Sequence, residues 1–189
     1  SLKKNYLLKD FTEDINSLKV NKIVHIQAEI NRKFNVEETK WLQFISDNHS
    51  KGFPNGIIGY IDLLNDNAER ELNQHMVYSN FRGIRQILKY DYKNDNVNLN
   101  LLSNDKWVNK LGILSKNNLI FELLINYYQY QDAIKVIKKY PNLQFIINHT
   151  VWPIGVNSNN FEIWKKSIVS LSKLENTVIM GIATLIDIK

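Results

Sequence analysis

Short apolar runs alternate along this chain with longer stretches whose apolar positions recur every three or four residues. The runs are Ile23–Ile30, Ile57–Leu64, Phe81–Leu88, Leu119–Ile125, Gln144–Val151 and Thr177–Leu185, the last interrupted by Gly181. Their length and composition predict six strands. Between them, helical spacing marks Glu37–Asn48, with Trp41, Leu42, Phe44 and Ile45 on the apolar side. It also marks Lys106–Asn117, Tyr128–Tyr140 and Phe161–Leu174, and a helix over Asp10–Lys19 precedes the first strand. The helix over Tyr128–Tyr140 stops at Pro141, because the residue before a proline is pushed out of the helical region. Asp66, with Glu69 three residues later, is expected to cap a helix between the second and third strands. Residues 90–104 are rich in Asn and Asp and read as a long loop.

Strands that alternate with helices imply right-handed crossovers and a parallel sheet. Two architectures suit six such strands: an open doubly wound sheet, or most of a β/α barrel. No glycine-rich phosphate loop follows any strand, so a dinucleotide fold gains no support. Side-chain alternation favours the barrel. Along Ile23–Ile30, His25, Gln27 and Glu29 share one face, and an open sheet covered on both faces seldom tolerates such a row. A barrel does, when the row points into its lumen and ends near the C-terminal mouth, where barrel active sites are built.

Other strands carry polar groups too. Arg85 falls on the face of Phe81, Gly83 and Ile87, with Arg82 opposite. A buried guanidinium needs a partner and offers a fork suited to a carboxylate. A structural ion pair with Glu29, Glu122 or Asp62 and a substrate clamp are both open readings. The run Phe145–Asn148 delivers His149 to a strand tip, on the face of Phe145 and Ile147, just before Trp152-Pro153. Its imidazole could ligate a metal or hydrogen-bond a reacting carbonyl or water. His49 and His75 lie near helix ends and read as surface residues.

Composition narrows the classes. The chain has 189 residues, 44% hydrophobic and 23% charged, which suits one globular domain with a sizeable core. It has no cysteine, which removes disulfides and thiolate ligands and fits a reducing, cytoplasmic setting. No apolar stretch reaches the roughly 20 residues of a membrane span. The net charge is +5, but the lysines are spread as doublets such as Lys3-Lys4, Lys138-Lys139 and Lys165-Lys166. They read as solvated helix faces, not as a nucleic-acid stripe. The expected partner is a small-molecule substrate, with no membrane or nucleic acid and the oligomeric state open.

Taken in order, several segments resemble the amidohydrolase-2 family of TIM-barrel hydrolases, which includes sugar-lactone and pyrone-dicarboxylate lactonases. The segments are Tyr6-Leu-Leu-Lys-Asp-Phe11, Val24-His-Ile-Gln-Ala-Glu29 with Glu38-Thr-Lys-Trp41, and Gly56-Ile-Ile-Gly-Tyr-Ile-Asp-Leu63. They continue with Phe81-Arg-Gly-Ile-Arg-Gln86 and Tyr140-Pro-Asn-Leu-Gln-Phe-Ile-Ile-Asn-His149. The resemblance implies an α/β fold, a (β/α)8 barrel of which residues 1–189 supply one partial domain with strands two to seven. It makes His149 the late-strand histidine that binds a metal such as zinc in some members and polarises the substrate in others. It makes Arg85 the strand-four arginine that holds a substrate carboxylate, with Gln27, Glu29 and His25 on the substrate side. The family's first-strand His-x-His pair is absent from this sequence. Asp187 directly follows the seventh strand and does not take the place of the eighth-strand aspartate, so the chain is expected to be part of a longer barrel. The implied activity is hydrolysis of a sugar lactone or related cyclic ester. The alternatives are a catalytically incomplete barrel that acts as a binding or scaffold protein, and a decarboxylase on the same fold.

Overall fold

A computed structural model of the chain describes residues 5–49, 52–89, 100–152, 157 and 159–181. The strands are β1 (Val24–Ile26), β2 (Gly56–Gly59), β3 (Phe81–Ile87), β4 (Ile120–Leu124), β5 (Gln144–Ile147) and β6 (Thr177–Ile179). The helices are α1 (Leu8–Asp14), α2 (Asn35–Asn48), α3 (Ala68–Met76), α4 (Asp105–Lys110), α5 (Gly112–Lys116), α6 (Tyr130–Lys139) and α7 (Phe161–Leu171). The strands form one sheet in the order β1-β2-β3-β4-β5-β6, and every neighbouring pair is parallel.

That order decides between the two architectures. A doubly wound sheet reverses its strand order at a switch point, and this sheet has no reversal. Right-handed crossovers that all run in one direction put the helices on one face. The opposite face is the concave side of a partial β/α barrel.

The main core lies between sheet and helices. Ile84, Phe121, Leu123, Phe145 and Ile147 from the strands meet Trp107, Leu111, Leu114, Ala133, Val136, Ile137 and Leu171 from the helices. Trp107 and Phe121 meet edge to face at 5.6 Å, and Phe121 meets Phe145 at 6.1 Å. The indole of Trp107 donates to Gln86 Oε1 at 2.7 Å, which satisfies the polar end of a fully buried ring.

Several expected details differ. Strands β1, β2, β4 and β5 are shorter than their apolar runs, because pairing stops where the chain bends into the loops at the C-terminal mouth. Residues 182–185 of the sixth run and 90–99 of the expected loop lie outside the described residues. The helix over Lys106–Asn117 is two short helices separated at Leu111. The α3 N-cap is Asn67, with no side-chain cap, while Asp66 pairs with Lys106 at 3.0 Å. Asp66 is thus a surface ion-pair partner, not a cap. His49 is exposed as expected, but His75 is fully buried. Its ring stacks on Phe81 at 5.0 Å and shares a 2.8 Å hydrogen bond with Thr39. Ala68, Leu72 and His75 are the buried positions of α3, so the histidine completes an apolar stripe.

One irregularity sets up the mouth. Ile57 pairs with Phe81 and Ile58 with Gly83, which leaves Arg82 as an extra residue. This bulge breaks the alternation. Phe81 faces α3, and Arg85 therefore does not share its face, contrary to simple parity. Gly83 is required here, since a Cβ would lie 2.0 Å from the carbonyl oxygen of Ile120.

Candidate functional site

Arg85 stands in the register row Arg85↔Glu122↔Ile146, across β3, β4 and β5. Neighbouring positions Ile84, Phe121, Leu123 and Phe145 feed the helix-side core, so this row belongs to the concave face. Arg85 Nη2 donates to the backbone carbonyl of Gln27. That reach crosses β2 and ties the mouth of β3 to the end of β1. Its Nε is buried without a hydrogen-bond partner. Burial lowers the Arg85 pKa, and Glu122 is the largest influence in the opposite direction. The guanidinium stays charged at any physiological pH.

Glu122 is only 2% exposed. Its Oε2 accepts a 3.0 Å hydrogen bond from Asn148 Nδ2. Burial raises its carboxyl pKa, and Asn148 and Arg85 oppose that rise. Asn148 immediately follows β5 and continues the concave-face parity of Ile146, so it is the next inward residue.

His149 does not follow strand parity, which would have placed it with Phe145 and Ile147 in the helix-side core. Its φ is +54°, and Thr150, Val151 and Trp152 are also left-handed, at +49°, +65° and +37°. Each such non-glycine residue costs roughly 1–2 kcal/mol. The surroundings hold the turn: Trp164 Nε1 donates to the Thr150 carbonyl at 2.9 Å, and Val151 is fully buried. Strain kept in this way marks functional segments. The turn brings His149 to the mouth beside Trp152, 5.0 Å between ring centroids. Lys89 sits over the same Trp152 ring at 3.9 Å.

The His149 pKa is lowered from its ordinary value, first by burial, then by the charges of Arg85 and Lys89. The imidazole is therefore neutral at pH 7. In a titration followed by NMR, the His149 midpoint is expected below 6.5 in the wild type. It should move up in Arg85→Gln, because one neighbouring cation is gone. An unmoved midpoint would separate the two residues.

The row His25, Gln27 and Glu29 is not one face. β1 ends at Ile26, and Glu29 turns left-handed at φ +57°. His25 points to α2, with Nε2 3.4 Å from Glu38 Oε1, and so lies away from the mouth. Gln27 is 1% exposed; its Oε1 accepts from the Glu29 amide at 2.7 Å, and its Nε2 has no partner. Gln27 and Glu29 line a cavity of about 90 Å³ with Arg32, Asn35 and Tyr60. Glu29, Arg32 and Tyr60 also border a second cavity of about 350 Å³, which extends to Asp62, Gln86 and Lys89. The Arg32 guanidinium lies over the Tyr60 ring at 4.7 Å.

The fold thus brings together Arg85, His149 and the main-chain oxygen of Gln27, and leaves out His25. Asn148, Lys89 and Trp152 join the site as well. Asn148 could have been found as the inward neighbour of Ile146; Lys89, one residue past its strand, carried no such signal. Asp187 lies outside the described residues.

No family model matches the chain. A protein of Sinorhizobium fredii, the uncharacterized protein y4mH, is 31% identical over 179 residues, which is 93% of this chain and 59% of that protein. Three solved structures share the fold. An amidohydrolase of Burkholderia multivorans with bound HEPES matches with a TM-score of 0.73 at 14% identity, over 94% of this chain and 60% of that one. The Burkholderia multivorans amidohydrolase with bound zinc gives 0.72 at 16% identity, over 94% and 59%. Amidohydrolase 2 of Bifidobacterium longum subsp. infantis gives 0.64 at 17% identity, over 94% and 61%. The chain spans about three fifths of the length of each. It carries part of the amidohydrolase-2 fold, a partial TIM barrel.

Zinc is bound in one of those solved structures, so the fit of a metal to this chain matters. Among the described residues no three of His, Asp and Glu converge as a metal site. The charges acting on His149 are those of Arg85 and Lys89, which disfavour a divalent cation beside it. The described residues do not by themselves fit a zinc ion.

Proposed function

We propose that the protein is a hydrolase of the amidohydrolase kind that opens an anionic sugar lactone or related cyclic ester, and that this chain supplies the carboxylate-binding side of its site. The observation that carries the reading is the meeting of Arg85, Lys89 and a neutral His149 at the C-terminal mouth of the sheet. The fold shared with amidohydrolases supports the reaction class.

In this reading, Arg85 holds a substrate carboxylate through its fork of donors. Neutral His149 can donate a hydrogen bond to the scissile carbonyl oxygen as negative charge develops there. Water adds to that carbonyl, the ring C–O bond breaks, and the alcohol oxygen takes up a proton to leave a hydroxy acid. Lys89 adds positive potential at the entrance.

The test uses the protein as its gene encodes it, on a panel of carboxylate-bearing and neutral lactones. Arg85→Gln is expected to raise KM for the acidic members about 30-fold, equivalent to ~2 kcal/mol, with little change in kcat. Neutral lactones should respond far less. Equal kinetics for wild type and variant across the acidic members would end the assignment.

A further inference from the structure

We propose that Glu122 sets how tightly Arg85 holds a carboxylate, which makes it a specificity-determining positioning residue. The inference rests on the reading of Arg85 as an anion clamp.

Glu122 is a carboxylate at 2% exposure on a face otherwise lined at that level by Arg85 and Ile146. A buried acid next to a buried arginine would ordinarily form a direct ion pair. Here the two are register partners on adjacent strands, yet the guanidinium turns to the Gln27 carbonyl and leaves its Nε without a partner. Glu122 instead accepts from Asn148, whose Oδ1 also has no partner. The charge of Glu122 therefore acts on Arg85 through space and leaves the donors of the guanidinium uncommitted to it. Buried polar atoms without partners on both sides of one carboxylate mark a place prepared for another polar group.

The consequence has a definite sign. An incoming carboxylate gains from Arg85 and loses to Glu122, and both terms are strong where water is excluded. Such opposition keeps a simple carboxylate from binding too tightly. A substrate whose polar groups also satisfy Arg85 Nε and Asn148 Oδ1 recovers the loss. Selectivity then comes from repulsion as well as attraction.

The experiment is calorimetric titration of the full chain with glutarate. Glu122→Gln keeps an acceptor for Asn148 and removes the charge. It is expected to bind glutarate about tenfold more tightly than wild type. Arg85→Gln should bind at least tenfold more weakly, and the double variant should bind more tightly than Arg85→Gln, because Glu122 repels the incoming carboxylate whether or not the arginine is present. Equal or weaker binding by a folded Glu122→Gln, with Arg85→Gln still weakened, would overturn the role of Glu122 alone. Unchanged binding in Arg85→Gln would instead overturn the clamp on which it rests. If Glu122→Gln does not fold, Glu122→Asp, which keeps the charge, should bind within about twofold of wild type; a tenfold change there also overturns the proposal.

Discussion

Gly83→Ala is expected to destabilise the protein by roughly 3 kcal/mol, near the upper end for overpacking a well-filled site. The added Cβ would sit 2.0 Å from the oxygen, 2.7 Å from the carbon and 2.8 Å from the nitrogen of Ile120. These are backbone atoms of the paired strand, so no rotamer change relieves the clash. Relief requires β3 and β4 to separate where five successive residue pairs hold them together. The same separation would displace Arg85 from Glu122, so carboxylate binding should fall along with stability. Gly112→Ala is the control: the nearest atoms to its Cβ lie 3.8 Å and 4.0 Å away, on the ring of Tyr140. In a helix that change should be neutral or stabilising by up to about 1 kcal/mol. Urea unfolding of both variants gives the comparison. A Gly83→Ala midpoint within error of wild type would show that the bulge does not need its glycine.

The order of elements was legible because burial imposes two different periods on strands and helices. The preference for a barrel reached the observed architecture from a premise that fails, since His25, Gln27 and Glu29 do not share one face. What alternation could not supply was direction at the points where the backbone departs from extended geometry. It failed after Gln27, where Glu29 turns left-handed, and at the bulge that detaches Phe81 from the face of Arg85. It failed again at His149, which four consecutive left-handed residues carry from the helix side to the mouth. All three failures border the candidate site, as expected where local rules yield to function. Arg85 survived them because its own neighbours, Ile84 to Ile87, form an unbroken stretch of strand. His75 was a different kind of failure. Its position near a helix end suggested solvent, while its spacing from Ala68 and Leu72 placed it on the buried stripe.

His75 has the clearest consequence for stability. Burial lowers its pKa from 6.5 to about 4. Its Nε2 has no hydrogen-bond partner, its ring is stacked on Phe81, and the Gly59 position leaves a Cβ only 3.0 Å from the ring. There is no room in the fold for a hydrated imidazolium. Above pH 6.5 both folded and unfolded states hold a neutral ring, and His75 adds no pH dependence. Between 6.5 and about 4 the unfolded state binds the extra proton, so stability falls as pH falls. Over that interval the loss approaches about 3 kcal/mol, from about 1.4 kcal/mol per pH unit. Below about 4 both states are protonated and the loss levels off. Glu71 and Glu122, whose carboxyls are raised by burial, act in the opposite sense, because the folded state takes up their protons first. His149, whose pKa is also lowered, acts in the same sense as His75. His75→Gln, which can still hydrogen-bond Thr39, should remove most of the slope between pH 6.5 and 5 in urea unfolding series. A variant that retains the wild-type slope would assign the acid sensitivity to another group.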